Sequence, residues 1–403
     1  MAKKTSKNNF ENRPSNIILP RSKSLSVQTI KTWKDALELA SLSENPMRAP
    51  LLELYESVLL DSHLQSIIES RSLRVIRSKF KLVDDAGQDN PELMKLLETR
   101  WFNRFLHHAM SAKFRGSTVI ELWDLDPETA ELKAANYIPS ENVIFGKGLI
   151  VKEVGDEVGY PYKEGNYEPF YIQVGTNNDL GLLKNIAPDA LSKKFAKAAW
   201  VEYVEKYGIP PRWVTTDSYS DTRHQELADM MGSMVSNHWA VLQGGEKIDV
   251  MNSTGTDAYS TFDKLIERMN SEMSKRVLGQ DGTTNSNDNA GTYGSLQIMQ
   301  EVADDRHEAD KTDIRYLIND ELLWRLELIS PAYKGISNYK FDWDESKEMT
   351  PAEIVKVAVD LSGAGYEVDL KYLVEKTGIP IIAFKPAGAA TDPTAEKKSL
   401  NAK

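Results

Sequence analysis

Apolar residues between 33 and 77 recur at helical spacing. Leu51, Leu54, Tyr55, Val58 and Leu59, then Leu64, Ile67 and Ile68, lie three or four apart, the period that stacks side chains on one helix face. The pattern switches to alternation in RSKFKLVDD, a short strand running into a turn. Pro91 suits a first helical position, and Leu93, Leu96, Leu97, Trp101, Phe105 and Leu106 extend a helix from it. After Gly116, STVIELWDLD alternates again, with Val119, Glu121 and Trp123 on one face and Ile120 and Leu122 on the other. Residues 130–180 hold short strand-like pieces, NYIPSENVIFG and PFYIQVG, between Gly- and Pro-bearing turns.

The second half is organised differently. A helix over APDALSKKFAKAAWVEYVEKY is stopped by Gly208, Pro210 and Pro211. A strand (PRWVTTD), a helix (DTRHQELADMMGSMVSN) and an alternating piece (HWAVLQGGEKIDVMN) come next. The cleanest helix spans about 257–278, with Phe262, Leu265, Ile266, Met269, Met273 and Val277 as its apolar stripe and Gly279 closing it. Then comes LGQDGTTNSNDNAGTYGS, four Gly and three Asn with no branched aliphatic between Leu278 and Leu296. Loops this long and polar inside a domain are uncommon and usually functional or disordered. A long helical pattern runs from Leu296 to about Ile329, roughly 50 Å at 1.5 Å per residue. Its middle, ADDRHEADKTD, is almost free of large apolar residues. Two shorter helices are expected over 350–380, then a tail whose composition does not offset the entropy of ordering it.

With 403 residues, length alone allows two to three domains. No cysteine is present, which excludes disulfide scaffolds and thiolate metal sites and fits a reducing cytoplasm. No apolar run approaches the ~20 residues that span a bilayer. The basic, polar N-terminus lacks the apolar core of a signal peptide and reads as a flexible arm. The net charge of −11 argues against a protein that wraps duplex DNA, because such proteins neutralise phosphates with Lys and Arg. It does not exclude contact with DNA, since a surface past which DNA slides should not grip it.

Recognisable catalytic motifs are lacking. The sequence contains no phosphate-binding G-x-x-x-x-G-K-[ST], and the glycines of GAGYEVD (363–369) follow a helix rather than a strand, so they read as a helix cap. His307-Glu308 is a broken zinc motif, because position 311 is Lys. Asp304, Asp305, Glu308, Asp310 and Asp313 form an acidic cluster that admits a Mg²⁺-dependent nuclease as an alternative, but Arg306, Lys311 and Arg315 interleave at salt-bridge spacing. A charged, solvated or subunit-facing helix surface is the preferred reading. His107 and His108 form an exposed or interfacial pair. No cofactor is expected, and the chain does not read as an enzyme.

Several stretches, taken in order, resemble phage portal proteins, most closely the Mu-like branch. They are DSHLQSIIESR (61–71), KFRGSTVIELWDLD (113–126), EKYGIPPRWVTTD (205–217), VLQGGEKIDVMN (241–252), the run from Arg276 to Ser330, and KTGIP (376–380). The resemblance implies an α+β portal fold with a wing, a helical stem, a small α/β clip, a tunnel loop and a long kinked wing helix. Placed on this chain, it implies an N-terminal arm at 1–30, the wing at 31–186, a first stem helix at 187–207 and the clip at 208–254. A second stem helix would occupy 255–279, the tunnel loop 280–294, the long helix 295–329, a small C-terminal wing or crown subdomain 330–385, and a flexible tail 386–403.

It further implies a homo-oligomeric ring, usually of twelve subunits, at one capsid vertex of the virion, assembled in the host bacterial cytoplasm. Double-stranded DNA passes through such a ring without regard to sequence. The partners implied are the terminase large subunit, head-tail adaptor or neck proteins and the major capsid protein, with no membrane. Another head or neck protein, an adaptor or minor head protein, is the alternative within that class. The tunnel-loop residues would be Asp281, Thr283, Thr284, Asn285, Ser286, Asn287, Asn289 and Thr292. Their small hydroxyl and amide groups make weak, exchangeable bonds to DNA backbones, whereas Asp281 and Asp288 repel phosphate. Basic stem residues that would face the channel are Lys193, Lys194, Lys197, Lys264, Arg268, Lys275 and Arg276, and partner-facing clip residues Arg212, Trp213, Asp221 and Arg223.

Overall fold

The computed structural model describes residues 13–19, 27–43, 45–207, 212–233, 241–250, 256–282, 293–344, 351–364, 366 and 368–377. The chain divides into two units, 1–344 and 345–403.

Capping residues, more than apolar spacing, set where the helices begin. α1 (Ile30–Ala40) opens on a reciprocal capping box between Thr29 and Thr32, and α2 (Ala49–Val58) has a proline in its first turn. α3 (Ser62–Ile76) opens at Asp61, whose carboxylate accepts from the Leu64 amide at 3.0 Å. That capture removes the amide a continuous helix would need and separates α3 from α2; with the earlier stop of α1 at Ala40, the helical pattern expected over 33–77 is three helices. Strand β1 (Phe80–Val83) is next, then α4 (Pro91–Leu97), capped by Asn90. Glu98 and the extended Thr99 separate it from α5 (Arg100–Arg115), so residues 91–115 also form two helices rather than one.

Strands β2 (Thr118–Leu125), β3 (Leu132–Ile138) and β7 (Tyr171–Val174) form an antiparallel sheet in the order β3-β2-β7. Its register pairs Val119 with Ile138 and Ile120 with Ile172. Between β3 and β7, the two-residue strands β4 (Val143–Ile144), β5 (Leu149–Ile150) and β6 (Tyr160–Pro161) make a second small sheet. α6 (Leu183–Tyr207) starts at Leu183, earlier than the 187 expected for the first stem helix, and contains Pro188. β8 (Arg212–Thr215) pairs antiparallel with β9 (Lys247–Val250), and α7 (Asp221–Ser233) lies between them in sequence.

α8 (Thr256–Leu278) ends at Gly279, whose φ of +86° is the left-handed conformation expected of a helix stop. α9 (Tyr293–Leu317) continues through a π-helical turn, Ile318–Leu322, into α10 (Leu323–Ile329). At this π turn Asn319 donates to and accepts from the backbone of Phe341, at 2.9 and 2.7 Å. Phe341 lies in β10 (Lys340–Trp343), which pairs with β1. Residues 330–344 therefore belong to the first unit rather than to a C-terminal subdomain beginning at 330. In the second unit α11 (Pro351–Gly363) and α12 (Leu370–Thr377) pack together, burying Ala358 and Leu373.

Three apolar clusters hold the first unit. One joins α5, the β3-β2-β7 sheet, the α9–α10 run and β10 around Trp101, Phe102, Phe105 and Phe341. A second joins α1, α2 and α3 to the start of α6 and the last turns of α8, through Leu54, Tyr55, Leu64, Leu183, Met273 and Val277. The third closes the small sheet around Phe145, Tyr162 and Tyr171. The first two clusters meet where Gly116 and Gly181 touch. Gly181 has a φ of +72°, and a Cβ there would overlap the Phe114 carbonyl oxygen. Gly181→Ala is expected to destabilise the protein by about 3 kcal/mol, the combined cost of left-handed strain and overpacking, read by denaturant titration.

Candidate functional site

The C-terminal end of α8, from which the polar loop departs, is enclosed by α3 and α9. Arg71 of α3 is buried, although it occupies the apolar stripe of Leu64, Ile67 and Val75. Its Nε and Nη2 donate to the two oxygens of Asp310 on α9, at 2.6 and 2.9 Å, and its Nη1 donates to the carbonyl of Val277 at 2.6 Å. Lys113 of α5 adds an ion pair to Asp310 at 2.8 Å and one to Asp313 at 2.6 Å. One carboxylate thus ties four helices together. Burial pushes the Asp310 carboxyl up, but the hydrogen bonds and charges of Arg71 and then Lys113 outweigh it and hold the group below the usual carboxylate range.

A second guanidinium meets the same helix end. Arg306 Nη1 donates to the carbonyl of Arg276 at 2.7 Å. Carbonyls in the last turn of a helix have no partner within it and carry the negative end of its dipole, so two arginines there are favourable. One turn and two turns earlier along α8, His63 Nε2, also from α3, lies 2.9 Å from Ser274 Oγ and 3.1 Å from the Asn270 carbonyl.

The expected basic stem residues divide into committed and exposed ones. Lys193 is buried and ion-paired with Asp61 at 2.7 Å, so it is withdrawn from any channel surface; its aliphatic neighbours and the α3 cap claim it. Lys275 pairs with Asp281 at 3.3 Å, and Arg268 with Glu272 at 2.9 Å. Lys194, Lys197, Lys264 and Arg276 are exposed.

Asp281, expected to meet DNA, instead folds back onto α8, where it accepts from Ser271 Oγ as well as pairing with Lys275. Thr283, Thr284, Asn285, Ser286, Asn287, Asn289 and Thr292 lie outside the described residues. Near β8 and β9, Trp213 is 50% exposed and Asp221 is exposed at the start of α7. Arg223, expected to face a partner, is held internally by Glu246, at 2.6 and 2.8 Å, and by Glu226 at 2.8 Å. Arg212 is placed in β8 opposite Val250.

The acidic cluster on α9 is paired mostly across helices rather than along its own. Asp304 bonds Arg74 and Asp310 bonds Arg71, while Asp313 bonds Lys113; along the helix itself, Glu308 takes Lys311 and Asp304 lies 3.6 Å from His307. Asp310 is therefore a core residue and not part of a solvated face. No group of three His, Asp or Glu side chains able to hold a metal is present among the described residues. Within the same limits, no helix is long and apolar enough to cross a membrane.

Sequence reasoning missed Arg71 and the structural role of Arg306. The signal for Arg71 was its position at i+4 from Ile67 and i−4 from Val75, a charge on an apolar stripe.

This arrangement of two long helices bracketing a strand-containing excursion, and a polar loop leading into a third long helix, is that of a viral portal subunit. A family model described as the portal protein of Mu bacteriophage matches residues 52–379, and the chain belongs to that family. No curated protein matches the sequence. Among solved structures, a chain from the virion of a native gene transfer agent (GTA) particle aligns with 87% of this chain and 99% of that one. It does so at 12% identity with a TM-score of 0.54. A chain from the neck of an empty GTA particle, computed with C6 symmetry, covers 79% of this chain and 90% of that one, at 12% identity and a TM-score of 0.50. These likenesses support the fold.

Two outcomes test the four-helix carboxylate. Arg71→Met leaves Asp310 buried with its main partner gone and is expected to cost about 3–5 kcal/mol in denaturant titration. Because the folded-state pKa of Asp310 lies below its unfolded value, its contribution is full above the ordinary carboxylate range and lost as pH falls through the lower, folded value. Asp310→Asn should remove that part of the acid sensitivity, seen as a flatter stability profile below about pH 4.

Proposed function

We propose that copies of this chain form a ring around a channel at one vertex of a phage capsid, through which double-stranded DNA enters during packaging and later leaves. α6 and α8 are the stem, the β8–α7–β9 excursion is the clip, and residues 280–294 are the loop that meets DNA. The observation that carries this reading is the combination of family membership over 52–379 with a loop that lacks apolar anchors and begins at a firmly tied helix end. Such a loop contributes nothing to a core and offers small polar groups to a sliding phosphate backbone.

In this reading the protein acts by geometry and performs no catalysis. The terminase large subunit docks at the clip during packaging, and neck or adaptor proteins replace it afterwards. Major capsid protein surrounds the wing. The number of subunits is twelve, and assembly takes place in the host cytoplasm. The exposed Trp213 is the clip residue best placed to contribute apolar area to such a partner.

Deleting Thr283 to Ala290 should leave ring assembly intact and reduce DNA packaging or retention several-fold, scored by class-averaged images and by the fraction of filled heads. Loss of assembly in that deletion would assign the loop to the subunit contacts instead. Protein that stays monomeric at every concentration and salt, with capsid protein present, would contradict the ring.

A further inference from the structure

Three features converge just beyond α8. Gly279 has a φ of +86° and its amide donates to the Lys275 carbonyl at 3.0 Å. A Cβ on Gly279 would lie 2.6 Å from Arg306 Nε and 3.0 Å from Val302 Cγ1, so the Arg306 side chain crosses the space that glycine leaves open. From there Arg306 donates to the Arg276 carbonyl, while Asp281 is fastened to Ser271 and Lys275 of α8.

We propose that Arg306 is a positioning residue that sets the point and direction at which the loop 280–294 leaves the stem, by clamping the last turn of α8 across Gly279. This rests on the reading of that loop as the element that meets DNA.

Arg71 and Arg306 divide the work at the helix end. Arg71 is buried and bound to Asp310, so removing it damages the fold of the unit. Arg306 is only half-buried and reaches the helix through a single backbone oxygen, so it holds the end of α8 without being part of the core. Two guanidiniums within reach of one carboxylate would repel each other at most sites. Here the unpaired carbonyls of α8 absorb the second. The Gly279–Arg306 pair is also specific to this geometry. A helix stop needs a left-handed residue, but it does not need a guanidinium laid over it.

The test uses full-length rings of Arg306→Ala, Arg306→Lys and Gly279→Ala, with hydrogen exchange of amides 277–282 and DNA retention in heads as readouts. Arg306→Ala should assemble normally, with exchange at 277–282 about tenfold faster, the loss of one charged hydrogen bond. Exchange within 303–317 should be unchanged, and fewer heads should stay filled. Arg306→Lys, which keeps a charged donor, should restore part of the protection. Gly279→Ala should reproduce the Arg306→Ala phenotype, and its effect on exchange should shrink in the Arg306→Ala background, where there is no guanidinium to displace.

Unchanged exchange at 277–282 in Arg306→Ala overturns the clamp. Equal acceleration along 303–317 overturns it too, since that marks a general loss of packing. Faster exchange with wild-type DNA retention overturns the positioning role, whereas wild-type retention in the loop deletion would overturn the reading of the loop itself.

Discussion

In the first unit α3, α5, α8 and α9 are joined at one buried carboxylate. Asp310 receives Arg71 from α3 and Lys113 from α5, and through Arg71 it reaches the last turn of α8. Taking charges out of water costs several kcal/mol per ion, so such a cluster survives only if its geometry satisfies each group. The bidentate contact with Arg71 and the second cation do so. Hydrophobic packing alone would let α8 slide or rotate against α3, because apolar contact is non-directional. A two-pronged guanidinium bond to a fixed carboxylate and a fixed carbonyl permits one register.

That register governs where the chain goes after α8. The helix ends in a left-handed glycine, and the sequence then runs to Tyr293 without a large apolar residue. The order of such a loop must come from its ends. Here the near end is tied by Arg71, Arg306 and the Asp281 contacts. Among the basic residues of α6 and α8, Lys193, Arg268 and Lys275 are engaged in ion pairs within the subunit, while Lys194, Lys197, Lys264 and Arg276 are exposed.

Much of this organisation was legible in the sequence. The stop after α8, the long α9 and the strand-containing excursion all came from periodicity and from glycine and proline placement. Helix division was less legible. The breaks at Asp61 and Thr99 sit inside continuous apolar periodicity; the first is marked by the capping carboxylate of Asp61, the second only by the extended backbone of Thr99. The site was half legible. Lys193 and Arg223 looked like surface charges because sequence spacing shows the helix face but not the acid waiting across it, Asp61 in one case and Glu246 in the other. The pairing of Asp310 with Arg71 spans 239 positions, beyond the reach of any local pattern. Membership of the Mu portal family, by contrast, came from the order of several short stretches that are individually weak.

The central claim is that residues 280–294 line the path of DNA. A photo-crosslinking amino acid at position 285 in DNA-filled heads, compared with one at the exposed Val158 between β5 and β6, tests it most directly. Crosslinks to DNA from position 285 and none from 158 are the predicted result. Equal labelling at both positions, or labelling of protein alone at 285, would contradict it.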